Sequence, residues 1–308
     1  ILADRIGRKW PYFVGNAGFI LGAMLFATSG GGAVAVLWIS SGFLLGIRTT
    51  GGQSYLIDVS RSGSLGIMSA LFTWGTTLGG AGGSLVLGLL LDRSGYVVFG
   101  ITLSAVSTAA LAVNGVFMPA SAPKHDRAKL SPAPVGYRDI IRKRAVSIIA
   151  VLRFLPTFYW GMATVLVPIL IADLGGSTIV LAVYGTISQV MASAAQLLTG
   201  RVADRKGFFD PTRIVLIILF ASILATAIWA DNLIAVFIAS TVAASAAWSM
   251  SSLIPVLVSH TVSPEWRAKT LGWIHLWWNV GMVVGAAVGG ALYETDHRLP
   301  FALAAGAA

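Results

Sequence analysis

Long apolar runs separated by short polar stretches follow one another along almost the whole chain. A helix needs about 20 apolar residues to cross a hydrocarbon core about 30 Å thick, and backbone polar groups in lipid must be bonded within their own segment. The runs do not alternate as strands would, so they predict nine complete transmembrane helices and the start of a tenth. The runs are 10–29, 33–57, 65–91, 95–118, 146–172, 178–199, 212–230, 232–258, 270–293 and a piece from about 299.

The composition agrees with a membrane protein. Apolar residues make up 56% of the chain and charged residues 11%, whereas a soluble domain carries about 25% charged residues. Lys and Arg concentrate in cytoplasmic loops and so indicate orientation. With the N-terminal loop in the cytoplasm, only Arg93 and Arg298 fall in outer loops, while Arg48 and Arg153 fall inside spans. This predicts a multi-pass protein of the cell membrane whose net charge of +9 needs no nucleic acid to explain it.

One long polar stretch interrupts the series of spans. Residues 119–145 are basic and contain prolines. We expect an N-terminal half at 1–118, a cytoplasmic central loop at 119–145 and a C-terminal half at 146–308. Within the loop, the segment YRDIIRKR fits either a short amphipathic helix on the inner membrane surface or a flexible linker with solvated charges.

A charged turn occurs twice in the sequence. The two copies are Asp4, Arg5, Gly7 and Asp204, Arg205, Gly207. Glycine permits the positive φ of a sharp reversal. The Asp can accept hydrogen bonds from backbone N–H groups at the N-terminus of a neighbouring helix, where the helix dipole favours an anion. The turn therefore predicts a conformational latch, with a plain basic turn at the inner membrane surface as the alternative.

Glycines also recur at every fourth residue in two spans. The two ladders are Gly75, Gly79, Gly83 and Gly281, Gly285, Gly289. This spacing places the glycines on one helix face, where backbones can pack closely. Together with the repeated turn, the ladders predict two similar halves.

These motifs resemble those of the major facilitator superfamily, which has two six-helix halves, a long cytoplasmic loop between them and a G-x-x-x-D-R-x-G-R-K turn. The matching residues are Asp4, Arg5, Gly7, Arg8 and Lys9, and in the second copy Gly200, Asp204, Arg205 and Gly207. The resemblance implies an all-α bundle of the twelve-helix type, present here from its third helix to the start of its twelfth. It also implies that the latch favours the outward-open state. The first glycine ladder partly resembles a pattern of the family's drug-efflux antiporters, in which Gly80 here replaces a proline.

Few side chains are candidates for binding a substrate. The sequence has no G-x-S-x-G, H-E-x-x-H or G-K-[ST] motif and no cysteine, and its histidines are scattered, so we expect neither an enzyme nor a metal site or cofactor. In transporters the site lies near the bilayer midplane between the halves. The candidates at that depth are Trp74, Thr76, Thr77, Tyr159, Trp160, Tyr184, Ser188, Gln189, Trp248, Ser249, Trp278 and Asn279, with Arg48 and Arg153 as the charges inside spans.

Each candidate has a structural alternative. The amides of Gln189 and Asn279 are costly in hydrocarbon without a partner, so an interhelical hydrogen bond would also explain them. The deep Trp residues are equally explained by packing. Arg48 and Arg153 either snorkel to the interface or face a cavity, where they would favour an anionic group on the substrate.

The sequence thus predicts a secondary transporter that moves a small organic solute by alternating access. A facilitative uniporter and a membrane sensor that binds solute without moving it are the alternatives. We expect a monomer whose partners are the bilayer, the solute and, as a candidate coupling ion, H⁺. No Asp or Glu lies near the middle of a predicted span, so the sequence identifies no coupling carboxylate.

Overall fold

The part of the chain that the structure describes is helical and contains no strand. A computed structural model describes residues 9–61, 63–118, 137–264 and 266–307. The helices are α1 Lys9–Met24, α2 Gly31–Val59, α3 Leu65–Phe117, α4 Tyr137–Ile141, α5 Arg144–Asp173, α6 Thr178–Lys206, α7 Phe209–Ile228, α8 Leu233–Thr261, α9 Arg267–Tyr293 and α10 Leu299–Ala307. The predicted all-α membrane fold is confirmed.

Eight helical segments of the described residues are long and apolar enough to cross a membrane. They correspond to eight of the nine complete runs read from the sequence, and the ninth, 65–91, falls in the first part of α3. The largest difference in length is at α6. It continues to Lys206 instead of ending at 199, because the charged turn stays helical until Gly207, where φ is 85°.

Two helices meet within α3, at the outer turn that the sequence predicts after residue 91. Its backbone departs from helical geometry at Gly95, with φ 72° and ψ 174°. Glycine adopts such a positive φ at little cost. The predicted boundary between the runs 65–91 and 95–118 therefore coincides with this one residue.

The chain divides into two compact units, and the first takes in residues 1–59, 86–137 and 263–272. In this unit α1 packs along α2 through small residues. A Cβ added to Gly15 would overlap the backbone of Arg48, and the Ser41 hydroxyl donates to the Gly18 carbonyl oxygen over 2.8 Å. Close backbone approach at small residues is a common way for helices to associate in lipid.

The second unit takes in residues 60–85, 138–262 and 273–308. Its central helix is α8, which packs against α5, α6 and α7. This helix is rich in Ala and Ser, and Ala243, Met250 and Leu253 are fully buried. Small side chains let the surrounding helices approach α8 closely.

The central loop is described only at its end. Residues 119–136 lie outside the described residues, so the predicted division into 1–118, 119–145 and 146–308 stays a prediction. The loop ends in the short helix α4, in which Ile140 is fully buried while Arg138 and Asp139 are exposed. Of the two alternatives for this segment, 137–141 adopts the helix. Its position on a membrane surface stays a prediction.

Candidate substrate site

A small, partly open cavity of about 20 Å³ lies within the second unit, between α5, α8 and α9. Three tryptophans form much of its wall, and the ring centroids of Trp160 and Trp248 are 5.6 Å apart in an edge-to-face arrangement. The indole Nε1 of Trp248 is buried and has no hydrogen-bond partner among the described residues. The lining residues are Pro156, Thr157, Trp160, Ala247, Trp248, Ser251 and Trp278.

Arg153 borders this cavity from α5 and is only 6% exposed. Its Nη1 donates to the Ser251 hydroxyl over 2.6 Å, and its guanidinium carbon lies 5.7 Å from the ring centroid of Trp278. Both of these residues line the cavity. Arg153, Thr157 and Trp160 fall on one face of α5, because they are four and three residues apart in a helix. Thr157 and Trp160 line the cavity, and Arg153, four residues before Thr157, lies behind the lining in contact with Ser251 and Trp278.

The charge of Arg153 is not neutralised by a carboxylate among the described residues. The structure shows no ion pair for it there, and its Nε has no hydrogen-bond partner within that part of the chain. A buried charge is costly unless it is paired and hydrogen-bonded. The arrangement therefore offers an unmatched positive group to an acceptor that enters the cavity.

His275 is a buried neighbour of the cavity wall on α9. Its ring lies 6.3 Å from that of Trp278, measured between centroids, and the charge of Arg153 acts on it. Sequence reasoning missed His275 as well as Thr157 and Ser251. A single histidine or serine in an apolar run gives no signal of its own, and only the α5–α8–α9 packing brings these residues to Arg153.

The structure places the two tyrosine candidates in the core of the second unit. Tyr159 is 1% exposed, and Tyr184 packs edge-to-face on Phe237 at 5.4 Å. Neither lines the cavity described above. Asn279 is exposed in the second unit, and its amide donates to the carbonyl oxygen of His275, one turn earlier in α9. Trp160, Trp248, Trp278 and Arg153 are thus the predicted residues that the structure brings together.

Gln189 and Trp74 belong to a different feature, a polar line of contact between α3 and α6 that we call the α3–α6 seam. Along it, Trp74 Nε1 donates to the Ser193 carbonyl oxygen over 2.5 Å. The Thr77 hydroxyl is 2.5 Å from that of Ser193, and the Thr73 hydroxyl donates to Gln196. Gln189 lies beside Gly80 at the far end of the seam. The full set is Gly66, Thr73, Trp74, Thr77 and Gly80 on α3 with Gln189, Ser193, Gln196, Gly200 and Asp204 on α6.

At the other end of the seam Asp204 caps the N-terminus of α3. Its two carboxylate oxygens accept from the backbone N–H groups of Gly66 and Ile67, over 2.7 and 2.8 Å. This is the contact that the sequence predicts for the Asp of the charged turn. Gly66 and Gly200 are in close reciprocal contact here, because a Cβ on either glycine would overlap the backbone carbonyl group of the other.

The other residues of the two charged turns are only partly described. Arg205 is exposed in the last turn of α6, and Gly207 ends that helix. In the first copy, Lys9 Nζ donates to the Gly115 carbonyl oxygen over 3.3 Å. The remaining residues of that copy, Asp4, Arg5, Gly7 and Arg8, lie outside the described residues. A latch role for either copy stays a prediction.

Arg48 lies in the first unit and contacts α1. Its Nε donates to the Asn16 side-chain oxygen over 2.9 Å, and its guanidinium carbon is 4.7 Å from the centroid of the Phe19 ring. Asn16 in turn donates to the carbonyl oxygen of Tyr12. These contacts make Arg48 part of the packing between α1 and α2, and a role in substrate binding stays a prediction.

The two glycine ladders differ in their surroundings. A Cβ on Gly285 would overlap the Phe158 carbonyl oxygen, and Cβ atoms on Gly281 and Gly289 would press against other parts of α5. At Gly75, Gly79 and Gly83 an added Cβ meets no atom of the described residues within 4 Å. The second ladder is therefore a close helix contact, while the packing role of the first stays a prediction.

The helices and the site place the chain in the class of polytopic α-helical membrane proteins. It belongs to the Major Facilitator Superfamily, whose family model matches residues 1–286, and it is therefore a membrane transporter. Among the solved structures that match is the human organic anion transporter MFSD10 (TETRAN). The TM-score is 0.77 and the sequence identity 16%, over 99% of this chain and 76% of that one. At this identity the likeness shows the fold. A comparison with curated protein sequences gives no match.

Proposed function

We propose that the protein is a secondary transporter of a small organic anion and that Arg153 binds the anionic group. One observation carries this proposal, namely the buried guanidinium beside the tryptophan-lined cavity, with no carboxylate paired to it among the described residues. Charges inside membrane segments are rare and costly, and they are candidates for substrate or ion sites by default. The name of MFSD10 as an organic anion transporter supports the same substrate class.

The cavity suggests how such an anion would be held. The Nε groups of Arg153 and Trp248 both lack partners among the described residues, so an acidic group could accept from each of them. The faces of Trp160 and Trp278 offer apolar area for the organic part. In this conformation the cavity has room for about one water molecule, about 20 Å³, so the surrounding helices must separate before a substrate can enter.

We further propose that transport proceeds by alternating access and that Asp204 acts as the latch. The cap on α3 consists of two hydrogen bonds from backbone N–H groups to one carboxylate. Such a contact is strong while its geometry holds, since it joins a charge to a helix N-terminus. Both hydrogen bonds also break together when the two helix ends separate. It can therefore stabilise one conformation without obstructing the other.

The test is transport and binding by the purified protein with a panel of small organic anions and their neutral analogues. We expect Arg153→Gln to lower anion affinity about tenfold to a hundredfold, since a hydrogen bond to a charged group contributes about 1.5–3 kcal/mol. The thermal midpoint should stay equal or rise, because the variant removes an unpaired buried charge. Arg213→Gln, at an exposed arginine of α7, is the control.

The outcomes separate the alternatives. A lower thermal midpoint with unchanged anion affinity would make Arg153 a structural residue and end the proposal for this site. In liposomes, accumulation against a gradient indicates coupled transport, and a pH gradient then tests H⁺ as the coupling ion. Equilibration alone indicates a uniporter, and binding without flux indicates a sensor.

A further inference from the structure

A second concave surface of the second unit lies between the N-terminal parts of α5 and α9. It is a groove of about 260 Å³, and it shares no lining residue with the tryptophan cavity. Its walls come from Ala150, Val151 and Phe154 of α5, Trp273 and Trp277 of α9, and Ile141 at the end of α4.

Three aromatic rings lie along this groove. Trp277 packs edge-to-face on both Phe154 and Trp273, with 5.9 Å between centroids in each pair. Apart from the two tryptophan indole groups, the polar side chain in the lining is Ser147, whose hydroxyl donates to the Ile141 carbonyl oxygen over 3.3 Å. From Ser147 to Phe154 the groove follows two turns of α5, about 10 Å. An apolar slot of this length fits a hydrocarbon chain better than a polar solute.

Positive charge is concentrated at one end of the groove. Arg142, Lys143 and Arg144 are consecutive and exposed at the corner between α4 and α5. Backbone hydrogen bonds fix this corner, from the Arg142 N–H to the Arg138 carbonyl over 3.3 Å and from the Lys143 N–H to the Ile140 carbonyl over 3.1 Å. The basic corner therefore has a fixed place next to the apolar groove.

We propose that the groove binds one anionic glycerophospholipid. An acyl chain would lie along Val151, Phe154 and Trp277, and the phosphate would lie against Arg142 and Arg144. Charge complementarity selects this occupant, because basic pockets between membrane helices bind anionic headgroups and Trp residues prefer the headgroup level. A zwitterionic lipid would offer Arg142 and Arg144 no net negative charge, and a soluble anion would leave the groove empty.

The experiment is native mass spectrometry of the purified protein, titrated with phosphatidylglycerol or with phosphatidylcholine of the same chains. We expect one phosphatidylglycerol to bind at least tenfold more tightly than phosphatidylcholine. Replacing Arg142, Lys143 and Arg144 together by Gln should remove that preference, because each charge contributes about fivefold to the affinity for phosphatidylglycerol. The control is the same triple replacement at the exposed residues Arg201, Lys206 and Arg213, which should leave the preference intact.

A second pair of variants tests the groove itself. Val151→Trp fills it and should abolish tight phosphatidylglycerol binding. Ile148→Trp adds the same ring to α5 outside the lining, at a residue that is 50% exposed against 53% for Val151. Thermal midpoints show that both variants are folded.

Three results would each overturn the proposal. They are equal binding of the two lipids, equal effects of the Val151 and Ile148 replacements, and equal effects of the two charge triples. If glycerol 3-phosphate displaces the lipid at an equal concentration, the site binds the anion without using the groove. That result would also overturn the proposal.

Discussion

Removing the carboxylate of Asp204 should destabilise the protein by an amount that the structure allows us to estimate. The side chain accepts two backbone N–H groups at the start of α3, at 2.7 and 2.8 Å. Hydrogen bonds to a charged group contribute about 1.5–3 kcal/mol, and loss of a helix cap costs about 0.5–2 kcal/mol. Since the contact is partly buried, we expect Asp204→Ala to cost about 2–4 kcal/mol.

Asp204→Asn separates the contribution of the charge to stability from that of the hydrogen bonds. The amide keeps one oxygen acceptor but places an NH₂ group opposite the second backbone N–H, so about half of the stabilisation should remain. The assay is thermal or denaturant unfolding of the purified protein, with all variants in the same detergent. Asp210→Ala is the control, because Asp210 is exposed in the first turn of its own helix, where a dipole interaction contributes about 0.3–1 kcal/mol.

The latch proposal also predicts an effect of the same variants on transport. If the cap stabilises one conformation of the transport cycle, Asp204→Asn must change the rate of flux as well as the stability. Equal destabilisation by Asp204→Ala and Asp210→Ala would refute the energetic argument. Normal flux in Asp204→Asn, with the expected loss of stability, would leave the cap as a purely structural contact.

Three other predictions concern separate parts of the chain. Gly285→Ala should lower the thermal midpoint, at a cost of about 1–3 kcal/mol for an overlap with backbone, while Gly79→Ala should leave it unchanged or raise it, and equal shifts would contradict the packing. The pKa of Asp231 is lowered chiefly by its hydrogen bond with His297, so its contribution to stability is present above the usual carboxyl pKa of about 4 and is lost as the pH falls through the lowered value. The difference in thermal midpoint between the parent and Asp231→Asn should therefore disappear in acid, and a difference that persists there would exclude the charge as its cause. A Cys introduced at Ser131 should not react with an impermeant reagent added to intact cells, because the central loop is predicted to be cytoplasmic. The chain has no other Cys that could react, so labelling from outside would show that the orientation is the opposite one.

The positions of the spans could be predicted from the sequence because the bilayer imposes a length on every apolar run. The charged turn was equally informative, because at a helix end its Asp can accept backbone N–H groups and its Gly permits a positive φ. Asp204 and Gly207 accordingly do in the structure what their chemistry suggested. Family membership followed from the same short motifs.

The rotation of each helix about its axis could not be predicted in the same way. A helix that is apolar all round has no polar stripe to show which side faces its neighbours. Tyr159 and Trp160 are adjacent in α5, yet the first is buried in the core and the second lines the cavity. In the same way Arg153 was identified by its charge, whereas Ser251 and His275 could be found only once α8 and α9 were packed against α5.

The reciprocal contact of Gly66 and Gly200 limits how this protein can change in evolution. A larger residue at either position meets the backbone of the opposite helix, and no substitution on that helix removes a backbone carbonyl. A second mutation therefore cannot compensate for the first, as it often does where two side chains collide. In a scan of all single and double variants, both positions should tolerate only glycine, and the paired substitutions should show no rescue. The point where the two helices cross would then stay the same in related proteins, however much the residues around it change.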